Sequence, residues 1–281
     1  MPGSWNAGVF GIGETVVQKS SAEGRRLSSC LKNLVFGAAA SLFAAQAFAA
    51  PDADTILKRA LDNLRGDTSL ATASMTIHRP DWERQVTIKS WTRGKTDSLA
   101  RSIAPPIDAG NATLELDQNI WSFDPKLNQV IKLPASMMAQ AWMGSDFSYD
   151  DLAKSEDVLT DYTHRLIGTE TSSGHTVTAI EADPKPGAPV VWGKIVLKVR
   201  DDYVIAEETF FDQDMKPARK LVTDRIGELS GRPFPLVMTM YPQDKPGQWT
   251  RLENRDVQFN VAMPGYVFTL SNLQNPRERA Q

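Results

Sequence analysis

The sequence holds one cysteine in 281 residues, Cys30, and only three histidines. A lone thiol excludes an internal disulfide framework, so the fold must rest on an ordinary core. His78, His164 and His175 stand far apart, and none sits in an H-E-x-x-H or similar metal-ligand spacing. Past the first fifty residues there is no G-x-S-x-G elbow, no S-x-x-K pattern, no P-loop and no dinucleotide fingerprint. The closely spaced glycines Gly8, Gly11 and Gly13 lie near the N-terminus. Carboxylates such as Asp150-Asp151 and Asp201-Asp202 fall in predicted turns, where they cap or face water. A glycosidase-type pair stays open, because spatial separation is invisible in sequence. The expectation is a protein that is not an enzyme, with no metal and no cofactor.

The only long apolar run belongs to a leader. Arg25, Arg26 and Lys32 precede Leu34–Phe48, fifteen residues without a charge. Ala47-Phe48-Ala49 then supplies the small-x-small pattern of a signal-peptidase site. Cleavage is placed after Ala49, leaving Ala50 first, because a cut one residue later would put Pro51 at the mature terminus. The run is short for a membrane span, and Pro51-Asp52-Ala53-Asp54 follows it. Arg25-Arg26 lacks the rest of a twin-arginine signal, and Cys30 precedes the run, so neither changes this reading. Residues 1–49 are expected to be leader and residues 50–281 a single exported, periplasmic domain.

Removing the four basic and two acidic residues of positions 1–49 leaves 27 basic against 32 acidic, a net charge of −5. A mildly acidic domain without a basic run gives nucleic acid no footprint.

The period of the apolar residues divides the remaining chain. Ile56, Leu57, Ala60, Leu61 and Leu64 make one stripe at helical spacing, closed by Gly66. After Gly66 the period becomes two. Met75 and Ile77 alternate with Ser74 and Thr76; Trp82, Val86 and Ile88 alternate with Glu83, Thr87 and Lys89. Leu99 and Ile103 follow, then Leu114 and Leu116, then Trp121 and Phe123. Further strands are predicted over 163–170, 175–182, 191–200, 203–212, 217–228, 234–241 and 248–259. About thirteen strands without βαβ alternation imply a mainly β protein with an antiparallel meander.

Residues 134–152, PASMMAQAWMGSDFSYDDL, interrupt this pattern. A strandless connection of this length is usually functional or a lid. Met137, Met138, Met143, Trp142 and Phe147 are dense there, and thioether side chains adapt to varied apolar shapes. Ser148 with Asp151 three positions on resembles a capping box, so a short helix is predicted to start at Ser148. A sheet with one apolar face and so little helix to cover it leaves an interior for side chains or for ligand.

These residues carry a resemblance. Ala104-Pro105-Pro106 with Gly110, Ile120-Trp121-Ser122-Phe123-Asp124-Pro125, and above all Gly144-Ser145-Asp146-Phe147-Ser148-Tyr149-Asp150-Asp151-Leu152 are similar to the outer-membrane lipoprotein-sorting (LolA-like) family of periplasmic carriers. Trp192-Gly193-Lys194-Ile195, Phe210-Phe211-Asp212 and Phe268-Thr269-Leu270 add to it, over residues 52–274. The resemblance implies a curved antiparallel sheet forming an incomplete β-barrel with a helical lid, holding a lipid or a lipoprotein acyl chain. It also implies an inner-membrane partner of the resistance-nodulation-division (RND) transporter type. Cargo stays open between lipoprotein, another lipid and a hopanoid-like molecule. A lipid-sensing domain for envelope stress is the alternative.

The cavity and lid are expected to draw on Met75, Ile77, Trp82, Val86, Ile88, Leu99, Ile103, Leu114, Leu116, Trp121, Phe123, Met137, Met138, Trp142, Met143 and Phe147.

Overall fold

A computed structural model describes residues 51–117, 119–153 and 157–277. The leader, with Cys30 and the cleavage point between Ala49 and Ala50, lies outside the described residues.

The first element is helix α1 (Ala53–Arg65). Asp52 stands at its N-cap and accepts a hydrogen bond from Thr55 N at 2.8 Å. Such a cap satisfies one of the free amides of the first turn. Gly66, at φ 64°, ends the helix; a side chain there would strain the backbone. Ile56, Leu57, Ala60 and Leu61 are buried along one stripe.

Six strands follow: β1 (Thr68–Arg79), β2 (Trp82–Arg93), β3 (Asp97–Ala104), β4 (Ala112–Leu116), β5 (Asn119–Asp124) and β6 (Gln129–Lys132). A crossing segment then carries two short helices, α2 (Tyr149–Ala153) and α3 (Asp157–Asp161). Seven more strands return: β7 (Tyr162–Ser172), β8 (His175–Pro184), β9 (Lys194–Arg200), β10 (Ile205–Phe211), β11 (Pro217–Leu229), β12 (Arg232–Pro242) and β13 (Trp249–Phe259). A 3-10 turn at Gly265–Phe268 and helix α4 (Leu270–Gln274) close the described chain.

All thirteen strands form one sheet in the order β6-β5-β4-β3-β2-β1-β13-β12-β11-β10-β9-β8-β7. Every pairing is antiparallel. The chain leaves the centre at β1 and walks out to the β6 edge. It then crosses to the β7 edge and walks back until β13 lies beside β1. The two edges do not pair, so the sheet stays open and is not a closed barrel. The crossing segment must therefore span the sheet from edge to edge, and that topology makes it a cover for one face.

That covered face, the inner one, packs on α1. Met75, Ile77, Val86, Ile88, Ile180, Leu197 and Met240 join the helix stripe in one buried cluster, together with Trp142 and Phe147 of the crossing segment. The opposite face carries an apolar patch centred on β3 to β5. Val86 and Ile88 point inward, so Trp91, of opposite parity, points outward. Trp91 stands across from Leu99, Leu99 from Leu114, and Leu114 from Trp121. Val267, Phe268 and Leu273 cover this outer patch. Arg101, buried beneath them, donates to Asn272 O at 2.8 Å and Leu273 O at 3.1 Å, holding the carbonyl end of α4. Among the described residues no helix is long and apolar enough to cross a membrane.

Candidate functional site

The crossing segment is tied to the sheet by two ion pairs. Asp146 meets Arg79 of β1 at 3.0 Å and accepts from Thr250 Oγ1 of β13 at 2.6 Å. Its own amide donates to Thr250 Oγ1 at 2.9 Å. Asp151 accepts from Arg219 of β11 through both oxygens, the Nη1 bond at 2.7 Å. Asp151 also accepts from Ser148 N and Ser148 Oγ, while Ser148 Oγ accepts from Asp151 N. The capping box read in the sequence thus starts α2 and presents its acid to the sheet. Arg79 and Arg84 donate further to the carbonyls of Gly144 and Met143.

Between these anchors the chain makes a tight reversal. Met143 (φ 53°) and Gly144 (φ 73°) are consecutive left-handed residues. Such strain in a non-glycine persists only where surroundings impose it. Here the reversal pairs Ala141 with Ser148 and turns Trp142 and Phe147 into the interior. Trp142 N donates to Phe147 O at 2.7 Å. Trp142 Nε1 donates to Thr113 Oγ1 of β4 at 3.1 Å, which satisfies the indole in a buried place.

Beneath this strap lies a cavity of about 350 Å³. Its floor is the inner face of β9 to β13: Ile195, Leu197, Phe210, Leu221, Met240 and Leu252, with Glu208 among them. Trp142, Phe147, Leu152 and Val158 form the roof, α1 contributes Leu61 and Leu64, and Val190 to Trp192 form a rim. The rim loop depends on Gly193. A Cβ at that position would lie 2.4 Å from Asp212 O, a backbone atom that cannot swing away. The volume falls within the range of small-molecule sites, and the lining is mainly aliphatic and aromatic with few polar groups.

Those polar groups have perturbed chemistry. Burial pushes the Glu208 carboxyl up to about 7; the Asp151 charge adds to this and Arg219 opposes it. Burial, aided by the nearby Asp150 charge, pushes the Tyr162 phenol up to about 12. Arg219 lies against two neighbouring rings, 4.4 Å from the Trp192 centroid and 4.6 Å from that of Phe210. Outside the cavity, burial raises Glu115 to about 7, while Ser98 Oγ donates to it at 3.0 Å and works the other way. Trp142 also borders a second pocket of about 370 Å³, polar in character, with Arg84, Asp108, Asn111 and Thr113 on its walls.

The residues proposed from sequence are distributed as follows. Trp142 and Phe147 line the apolar cavity. Met75, Ile77, Val86 and Ile88 are buried in the inner cluster but outside the cavity wall. Met143 packs on that cluster and borders the polar pocket. Met137 and Met138 are partly exposed at the start of the strap and border neither space. Leu99, Leu114, Phe123, Leu116 and Trp121 gather on the outer face under the C-terminal segment. Trp82 and Ile103 are exposed, at 49% and 47%. The floor of the cavity comes instead from the second half of the chain. The alternation of Ile195 with Leu197 and of Leu221 with its neighbours is visible in sequence, but the first half looks equally apolar. Glu208 was hidden because Glu207 precedes it and parity alone cannot say which acid turns inward.

The histidines serve local structure. His78 stacks on Trp249 at 4.7 Å and meets Glu83 at 3.1 Å. His164 joins Asp54 of α1 to Val158 O of α3, at 2.5 and 2.7 Å. His175, Asp201 and Asp202 bring ligand-type atoms within 4.8 Å of one another. Arg200 contacts the His175 ring at 2.6 Å and pairs with Asp202 at 2.5 Å, so this group reads as an ion network.

A family model of the DUF1329-like family, described as an uncharacterized protein, matches residues 94–275. Three solved structures share the fold. A DUF1329 family protein from Desulfovibrio piger is 22% identical, with a TM-score of 0.72 over 78% of this chain and 97% of its own. A domain from Vibrio parahaemolyticus, described as a putative outer membrane lipoprotein-sorting protein, is 19% identical, at 0.69 over 79% and 97%. A LolA superfamily protein from Nitrosomonas europaea is 20% identical, at 0.66 over 78% and 98%. Among curated proteins nothing matches.

Proposed function

The chain belongs to the DUF1329-like family, and on that premise we propose that it is a periplasmic carrier that holds the apolar part of a lipid or lipoprotein under its strap. The observation that carries this reading is the cavity of about 350 Å³ between the inner face of β9–β13 and Trp142, Phe147, Leu152 and Val158, walled chiefly by aliphatic and aromatic side chains. The shared fold with a structure described as a lipoprotein-sorting domain supports it. Each buried methylene is worth about 0.8 kcal/mol. An acyl chain with roughly ten methylenes in such a cavity recovers about 8 kcal/mol, most of what it loses on leaving a bilayer. A protein that binds and releases in this way needs no catalytic group. The proposed partner is an inner-membrane transporter of the RND type, on the family resemblance over residues 52–274.

Residues 1–49 are proposed to be removed on export, with residues 50–281 as the working domain. N-terminal sequencing of protein recovered from the periplasm should begin at Ala50; a start before Arg25 would contradict it.

The cavity itself is tested by filling it. Leu221 sits on the floor, facing Met240 and Glu208 across the sheet. Leu221→Trp should lower affinity for an uncharged environment-sensitive naphthylamine dye at least about tenfold, while added bulk in a pre-existing space leaves melting nearly unchanged. Mass spectrometry of organic extracts should find lipid with the wild type and little with the variant. Equal dye binding by a folded Leu221→Trp variant would remove the cavity from consideration.

A further inference from the structure

We propose that the cavity selects apolar ligands bearing an uncharged hydroxyl head group, and that Glu208 is the residue that receives that head. This rests on the carrier reading and narrows it to a ligand class.

Glu208 is an anomaly on the floor. Its cross-strand neighbours are Leu197 and Leu221, and the next inward residue of its own strand is Phe210. No hydrogen bond to its carboxyl is formed among the described residues, although nearly every other acid that packs near the strap is anchored: Asp146 by Arg79 and Thr250, Asp151 by Arg219 and Ser148. Arg219 turns both Nη groups to Asp151 and lies against two aromatic rings, and it makes no hydrogen bond to Glu208. A polar group in an apolar space without a partner is costly. A leucine would fit the surrounding pattern, so the carboxyl is the part of the floor that packing does not explain.

The rest of the wall decides what would meet it. The other ionisable groups lining the cavity among the described residues are Asp150, Asp151, Asp157 and Tyr162; no lysine or arginine lines it. A wall whose ionisable side chains are acids and a phenol does not suit a carboxylate or a phosphate. Burial raises the Glu208 carboxyl to about 7, so a large share of it carries a proton near neutrality, and in that form it can both donate to and accept from a hydroxyl. A hydroxyl uses both capacities, an ether oxygen only one, and an alkyl end neither. Placing the head here also sets the register of the ligand: the apolar body would extend from Glu208 along Leu221, Met240 and Leu252, beneath Trp142 and Phe147.

The test is displacement of the uncharged dye from full-length mature protein by three ligands of equal chain length: 1-decanol, methyl decyl ether and decanoate. The alcohol should displace dye at a concentration on the order of tenfold below the ether, the step of one net hydrogen bond, and decanoate should be weakest. Glu208→Leu should bring alcohol and ether together while both still bind; Glu208→Gln, which keeps a donor and an acceptor, should retain the preference. Equal potency of alcohol and ether on the wild type would overturn the inference and needs no variant to fold. A preference surviving in Glu208→Leu, or decanoate binding best, would overturn it as well. In all those cases ligands still bind and the carrier reading stands. If neither dye nor ligand binds, the carrier reading falls and takes this inference with it.

Discussion

Replacing Asp151 with alanine is expected to destabilise the protein by about 3–5 kcal/mol, the usual cost of leaving one partner of a buried ion pair alone. Arg219 is buried, its Nε has no hydrogen-bond partner, and its guanidinium lies against Trp192 and Phe210. Its charge is left in a buried place without its carboxylate partner once Asp151 is replaced. The same substitution removes half of the capping box at α2, because Ser148 N and Ser148 Oγ both donate to the Asp151 carboxylate. It also frees the strap from β11 directly above the cavity, so dye affinity should fall in whatever protein remains folded. Asp151→Asn keeps the cap and should lose less. The double variant Asp151→Leu with Arg219→Met removes both charges and should be more stable than Asp151→Ala, since apolar replacement of a whole buried pair is often neutral or better. Denaturant unfolding of the four proteins reads this directly. A loss below about 1 kcal/mol in Asp151→Ala, within the range of an exposed pair, would show that the strap is not held there.

Stability should also fall as pH rises from about 5 to about 7.5, and level off above that. The carboxyls of Glu115 and Glu208 are both raised from 4.5 to about 7 by burial. Between those values the folded protein keeps a proton that the unfolded chain has released, so the folded state loses ground as pH climbs. Ser98 donates to Glu115, whose charge is also influenced by Arg65, Asp97 and Asp157, and that of Glu208 by Asp151 and Arg219. One oxygen of Glu115 is buried without a partner. Each group should contribute on the order of 2 kcal/mol to the total fall, less than the full shift implies because folded structure relaxes around a new charge. Glu115→Gln and Glu208→Gln should each flatten part of the dependence, and the double variant most of it. Thermal melts from about pH 5 to about pH 8 check this. A wild-type profile that is flat or rising over that interval would refute the assignment, as would an unchanged slope in the double variant.

The string Gly144 to Leu152 shows how far residue patterns reach. It stands out in sequence as the most specific stretch, and the capping box within it is readable from Ser148 and Asp151. Its meaning is not readable, because Asp146 and Asp151 find Arg79, Thr250 and Arg219, partners 67 or more positions away. The lid methionines illustrate the same gap. Met137 and Met138 share composition with Trp142 and Phe147, yet only the latter two are turned inward by the reversal at Met143 and Gly144.

What the sequence determined alone follows from periodicity and local chemistry. Helix α1 with its Gly66 stop, the antiparallel strands with their turns, and the interruption between β6 and β7 all arise from interactions within a few residues. Which face each apolar residue serves is a different matter. Alternation says that Leu99, Leu114 and Phe123 share one side of the sheet, but not that β3 to β5 turn that side outward, to be covered by Phe268 and Leu273. Alternation likewise cannot place Glu208 beneath Trp142 and Phe147. Period two leaves two equivalent faces, and only packing of α1, the strap and the C-terminal segment distinguishes them. The cavity is therefore a product of tertiary structure, formed where the strap spans the second half of the sheet without filling the space beneath it.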